Sequence, residues 1–244
     1  RNACRRLSSK SGNRLTTGST ELSPRTFSHW PPSEAKPSQL RLQAGGRLQL
    51  ESADGKLLNS ESVAAAHTAT DPGFDQFVSD PAKPVPYSEE ITNRMTNEYM
   101  TDDQRFAARR PDVLVYQSDI LTDDLVMAGP LQAQFYASTS ETDADFVVKL
   151  IDVFPDGSDA ARLPNYQMMV RSEVLRGRFR NSYEKPEAFV PNQPAAIHLE
   201  LLDVLHRFQK GHRIMIQIQS TWFPLVHRNP QQFVPNIYLA KPED

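Results

Sequence analysis

The sequence predicts an all-β sandwich, and three observations carry that prediction. Asp145 to Gly157 (DFVVKLIDVFPDG) puts Phe146, Val148 and Leu150 on one side of a strand and Val147, Ile151 and Val153 on the other. Apolar residues on both faces mark a strand covered from both sides. Leu131, Ala133, Phe135 and Ala137 alternate with Gln132, Gln134, Tyr136 and Ser138, the cleanest period of two in the chain. Nineteen prolines stand against ten glycines, many beside short apolar runs, so the loops are pinned rather than loose.

The 244 residues suffice for one large β domain or two small ones, and 39% hydrophobic with 23% charged residues is ordinary for a globular chain. No run approaches the ~18 apolar residues of a membrane span, and no charged-then-apolar leader opens the chain. A start at Arg1 rather than Met reads as a fragment or a processed product, which leaves export of the parent protein open. Residues 1–14 hold Arg1, Arg5, Arg6, Lys10 and Arg14 and no acid. The remainder carries 22 bases against 30 acids, a net charge of −8, and offers no basic surface for nucleic acid. The single Cys4 excludes an internal disulfide and any multi-cysteine metal site.

Taken in order, residues 1–26 lack periodicity and read as disordered. Phe27 to Pro32 (FSHWPP) reads as an extended linker whose rings dock on the body, since a double proline forces an extended path. Leu40 and Leu42, then Leu48 and Leu50, alternate with polar residues around Ala44-Gly45-Gly46, a hairpin signal. Asp54-Gly55 marks a turn, Phe74–Val78 a short strand, and the three prolines of Asp80–Tyr87 a rigid surface loop. Residues 88–110 are the one helical region. Thr101 is placed as the cap of a short helix, Phe106 on its buried side, and Pro111 at its end. An excursion this long is expected to cover a sheet edge or reach a neighbour.

Strands then follow at sandwich spacing. Val113 and Val115 start one, and 131–138 and 145–154 are the next two. Tyr166–Val170 is another, which Glu173–Arg180 either continues or leaves as an arm. Ile197, Leu199, Leu201 and Leu205 are expected to share one face of a further strand. Ile214, Ile216 and Ile218 follow, with Arg213, Gln217 and Gln219 outward. Asn236–Ala240 closes the chain.

Catalytic signatures are missing. Thr17-Gly18-Ser19-Thr20-Glu21 lacks the second glycine of a serine elbow, and Gly45-Gly46 is a hairpin turn, not a phosphate loop. His206 and His212 suggest a metal only with a third ligand, for which Asp203 is the candidate; strand-end histidines bonded to backbone are the reading adopted. Asp143, Asp145, Asp152 and Asp156 invite a calcium or glycosidase reading, but acids at strand ends and turns more often bond backbone N–H groups. Arg171, Arg176, Arg178 and Arg180 read as a solvated arm paired with Glu173, Glu184 and Glu187. Trp222-Phe223-Pro224-Leu225 is either a sandwich cap or a wall offered to a neighbouring domain or ligand.

Six stretches together resemble one family: Phe27–Pro32 (FSHWPP), Asp102–Tyr116 (DDQRFAARRPDVLVY), Asp145–Gly157, Tyr166–Asn181 (YQMMVRSEVLRGRFRN), Gly211–Ser220 (GHRIMIQIQS) and Trp222–Pro230 (WFPLVHRNP). From about Thr16 onward the chain resembles the C-terminal domain of the X-Pro dipeptidyl-peptidase and cocaine-esterase-like serine hydrolases, nearest to the α-amino-acid ester hydrolase and glutaryl-acylase-like members. The resemblance implies a jelly-roll β-sandwich over 27–244, galactose-binding-domain-like, with one or two short helices in its connections. It implies a Ser-Asp-His triad in an upstream α/β-hydrolase domain that this chain lacks, and a parent acting on amide or ester bonds. No catalytic, cofactor or metal residue is carried over. The expected partners are that catalytic domain and a homo-oligomeric neighbour, with neither nucleic acid nor membrane. Candidate positions for a domain interface or pocket wall are Trp30, Tyr99, Arg105, Trp222 and Phe223. The alternative is a stand-alone carbohydrate- or ligand-binding sandwich using the aromatics Trp30, Tyr87 and Trp222.

Overall fold

The computed structural model describes residues 26–52, 73–157 and 164–239. The expectations for residues 1–25 and for Asp54-Gly55 lie outside them. Among the described residues eight strands make two sheets. β1 (Ser38–Gln43), β2 (Arg47–Ser52), β3 (Val113–Gln117), β5 (Asp145–Val153), β6 (Gln167–Arg176) and β8 (Arg213–Gln219) form a six-stranded sheet in the order β1-β2-β3-β8-β5-β6. β4 (Leu125–Ala137) and β7 (Ala195–Phe208) form a two-stranded antiparallel sheet. The chain is an all-β sandwich. Among the described residues helix is confined to α1 (Arg105–Ala108) and to 3₁₀ turns at Glu98–Met100, Gly177–Phe179 and Ile237–Leu239.

The core lies between the sheets. Phe146, Val148 and Leu150 of β5, with Ile214 and Ile218 of β8, meet Ile197, Leu199, Leu201 and Phe208 of β7. Phe135 of β4 packs edge-on against Phe146, with ring centroids 5.6 Å apart. The β1–β2 hairpin joins the same core: Leu40 pairs with Leu50 and Leu42 with Leu48, as the alternation predicts. Burying each such aliphatic side chain contributes roughly 1.5–3 kcal/mol.

The sequence expectation for β7 is corrected by a bulge. Opposite it, Leu131 pairs with Leu202 but Gln132 with Glu200, so Leu201 is the extra residue. Leu202 takes a positive φ of 63°. One inserted residue reverses the inward parity. Val204 and Phe208 therefore point inward, and Leu205 stands 57% exposed where alternation alone would bury it.

Two other expectations also change. Residues 74–78 form no strand, and Ile237–Leu239 form a 3₁₀ turn rather than a strand. Of the two readings of Glu173–Arg180, continuation holds as far as Arg176: Gln167–Arg176 is one strand, β6. Gly177 follows it because nothing larger fits: a Cβ there would lie 2.4 Å from the Ala144 carbonyl oxygen and 2.6 Å from the Phe189 ring. Gly177→Ala is expected to lower unfolding stability by ~2–3 kcal/mol by overpacking. A urea midpoint unchanged from wild type would refute it.

Candidate functional site

All nine residues of β5 are buried, because the outer face of the six-stranded sheet is also covered. The cover is the 81–112 excursion together with residues 221–229. It lies on the sheet's face, not on an edge as the length of the excursion suggests. Backbone bonds tie its two parts together: Phe223 N–H donates to Val85 O at 2.9 Å and Tyr87 N–H to Phe223 O at 2.8 Å. The Thr221 hydroxyl accepts from Val85 N–H at 2.8 Å. Gln104 anchors the middle, its N–H donating to Gln167 O at 3.0 Å. The cap of α1 is Gln104, not Thr101. Thr101 instead donates its hydroxyl to Glu98 O.

Beneath the cover lie residues expected to be outward. Gln217 and Gln219 have no exposed surface, and neither has Lys149. The Lys149 ammonium donates to Gln104 Oε1 at 3.0 Å and sits 4.6 Å from the centroid of the Trp222 ring. Burial holds its pKa down to about 7. Gln217 Oε1, Gln219 Oε1 and Trp222 Nε1 are buried without a hydrogen-bond partner among the described residues. An aromatic chain closes the site: Tyr99 packs edge-on to Trp222 at 5.7 Å and against Tyr87 at 5.5 Å. Val147, Met169 and Val174 line its floor.

The structure places four of the five candidate interface residues in this cover. Tyr99, Trp222 and Phe223 belong to this cover, and Phe223 is 40% exposed with Arg228 over its ring. Arg105 lies on the same excursion, its guanidinium paired with Asp103. Trp30 is elsewhere, its indole N–H donating to Asp203 on β7. The FSHWPP rings do dock there, Phe27 edge-on to Trp30 at 6.1 Å. Lys149, Gln104, Gln217 and Gln219 were missed. The one signal available was a lone lysine, Lys149, in the middle of a mostly apolar two-faced run.

The acids act differently from expectation. Asp143 accepts from the Ala144 N–H as well as from a side chain, and Asp145 accepts from side chains. Arg178 donates Nε and Nη2 to Asp143 Oδ2 at 2.8 and 2.5 Å, and Nη1 to Val234 O at 2.8 Å. Asp145 takes Arg176 at 3.2 Å and Asn229 at 2.8 Å. Burial raises its carboxyl to about 6 against the pull of Arg176 and Asn229. The arginine run is therefore no solvated arm: Arg178 is buried, Arg180 donates to the carbonyls of Gly177, Glu187 and Ala188, and Arg171 donates to Asp203 O. Asp156 accepts from Asn165.

His206 and His212 are joined through one carboxylate rather than through backbone. Asp152 Oδ2 meets His206 Nε2 at 2.9 Å, and Oδ1 meets His212 Nδ1 at 2.8 Å. The contact links β5 to β7 across the sandwich. Asp203 is not part of it. No cluster among the described residues assembles three metal-ligating groups.

Comparison with known proteins sets this fold in context. The sequence profile of the X-Pro dipeptidyl-peptidase C-terminal non-catalytic domain matches residues 4–243. The chain belongs to this family. The match begins before Thr16, where the motifs placed it. The cocaine esterase of Rhodococcus sp. (strain MB1 Bresler) is 30% identical over 200 residues, covering 82% of this chain and 32% of that protein. An aminopeptidase from the marine sediment archaeon Thaumarchaeota archaeon is 41% identical with a TM-score of 0.74, over 89% of this chain and 34% of that one. An α-amino acid ester hydrolase is 40% identical with a TM-score of 0.73, over 85% and 32%. The chain thus spans about a third of the length of these relatives.

Proposed function

We propose that this chain is the supporting C-terminal part of a longer serine hydrolase that cleaves amide or ester bonds. It packs on an upstream α/β-hydrolase domain and shapes one side of that domain's pocket. The observation that carries the reading is the family match over residues 4–243, to a domain described as non-catalytic. The side chains support it. Acyl transfer needs a nucleophile held by a base and an oxyanion hole of preorganised donors. No described hydroxyl or thiol bonds a described histidine, and α1 is a single turn.

The contact face we assign is the outer surface of the cover, with Tyr99, Arg105 and Phe223 at its centre and the buried Trp222 backing them. Ile91, Met95 and Met100 lie exposed along the same excursion. Apolar side chains gathered on one excursion suit a domain interface. The carbohydrate alternative loses two of its three aromatics, since Tyr87 and Trp222 are 4% and 3% exposed.

The 244-residue chain alone is expected to hydrolyse neither an amino-acid ester nor an X-Pro amide, and to take no label from a serine-directed fluorophosphonate. Stoichiometric labelling would overturn the reading.

A further inference from the structure

We propose that the 98–108 cover opens with the uptake of one proton, and that Lys149 is the group that takes it. The geometry is that of a latch. The amine is wholly buried on the outer face of β5, beneath the cover it helps to hold. Among the described residues its one acceptor is Gln104 Oε1, and Gln104 is the residue that anchors the cover to β6 through Gln167 O and to β8 through Gln217 Nε2 at 3.3 Å. Its other neighbour is the Trp222 ring, the second half of the cover. No carboxylate pairs with it among the described residues. A charged amine there loses its hydration and gains one neutral acceptor and one ring face in return, an unfavourable exchange. Lifting the cover restores water to it.

Other ionisable groups surround the latch. Asp102, Asp103 and Arg105 lie on the cover, Tyr87 and Tyr99 in the aromatic chain, and Asp145 with Arg176 on the same sheet face, whereas Glu173 of β6 pairs with Val148 and stands on the other face. Burial is the sole cause that displaces the amine. His206 and His212 lie with Asp152 on the opposite face of β5.

The sign follows from linkage. The closed state holds Lys149 near 7, whereas in the open state it returns toward its ordinary 10.5. Between these values the open state binds the extra proton, so opening is favoured as pH falls from 10.5 to 7 and levels off below.

Amide hydrogen exchange of the whole 244-residue chain tests this. After correction for intrinsic exchange, the Gln104, Ala107 and Ala108 amides should gain protection about tenfold per pH unit from 7.5 to 9.5. Amides of β8 report global unfolding, and the cover amides should stay less protected than they are at every pH, which marks the opening as local. In Lys149→Met the slope should vanish, and Lys149→Gln gives the same readout should the methionine variant fold poorly. A flat profile in wild type, or the same slope in either variant, would overturn the proposal.

Discussion

Arg178→Met is expected to cost about 3–5 kcal/mol of unfolding free energy, the largest single effect in this molecule. The partner Asp143 has no exposed surface, and Arg178 itself is 5% exposed. Three guanidinium donations converge there, two on Asp143 and one on Val234 O. Arg178 also stacks on Phe233, its carbon 4.7 Å from the ring centroid. The pair thereby fastens the C-terminal segment to the start of β5 and the end of β6. Methionine keeps much of the volume but leaves a buried carboxylate facing no cation. The double variant Arg178→Met with Asp143→Asn should recover a large part of the loss, because the penalty belongs to the orphaned charge. Urea unfolding of both variants decides the matter. A single-variant loss under about 1 kcal/mol would show that water reaches Asp143.

Lys149→Met is expected to do the opposite and stabilise the chain at neutral pH. A pKa held from 10.5 to about 7 corresponds to a penalty on the order of 4 kcal/mol for charging the folded state. Removing the amine also strands Gln104 Oε1, at a cost of roughly 1–3 kcal/mol. The net gain is therefore about 2 kcal/mol at pH 7. The pH dependence distinguishes this from simple repacking. The lysine's folded pKa is depressed, so its penalty is complete below about 7 and fades as pH rises toward 10.5. Wild type should gain on the variant over that window and overtake it near pH 9. A variant advantage independent of pH would sink the explanation.

Much of the sandwich was legible from local pattern. The hairpin around Gly45-Gly46, the alternation of Leu131 to Ala137 and the two-faced apolar run of β5 all appear where their periodicity placed them. Where reading failed, a distant element had changed the environment. Leu205 is outside because Leu201 is bulged against β4, which no spacing within β7 announces. Gln217 and Gln219 read as outward because they alternate with isoleucines, yet the far face of their strand is roofed by 81–112 and 221–229. The arginines of β6 read as solvated because their partners, Asp143 and Asp145, lie thirty-odd residues earlier.

The candidate site was legible only in part. Trp222, Phe223 and Tyr99 announced themselves as aromatics with no strand to fill. Their floor did not, since a lysine and two glutamines ordinarily mean solvent.

Strand order along the chain, the two-sided burial of β5 and the absence of a nucleophile signature therefore belong to the linear order of residues. Periodicity of two is a local property of the backbone and needs no partner to be written. The His206–Asp152–His212 bridge, the Arg178–Asp143 pair and the uncharged niche for Lys149 arise only when segments far apart in the chain close over one another. Desolvation, which decides the energy of each, depends on what covers a group and not on which residues flank it.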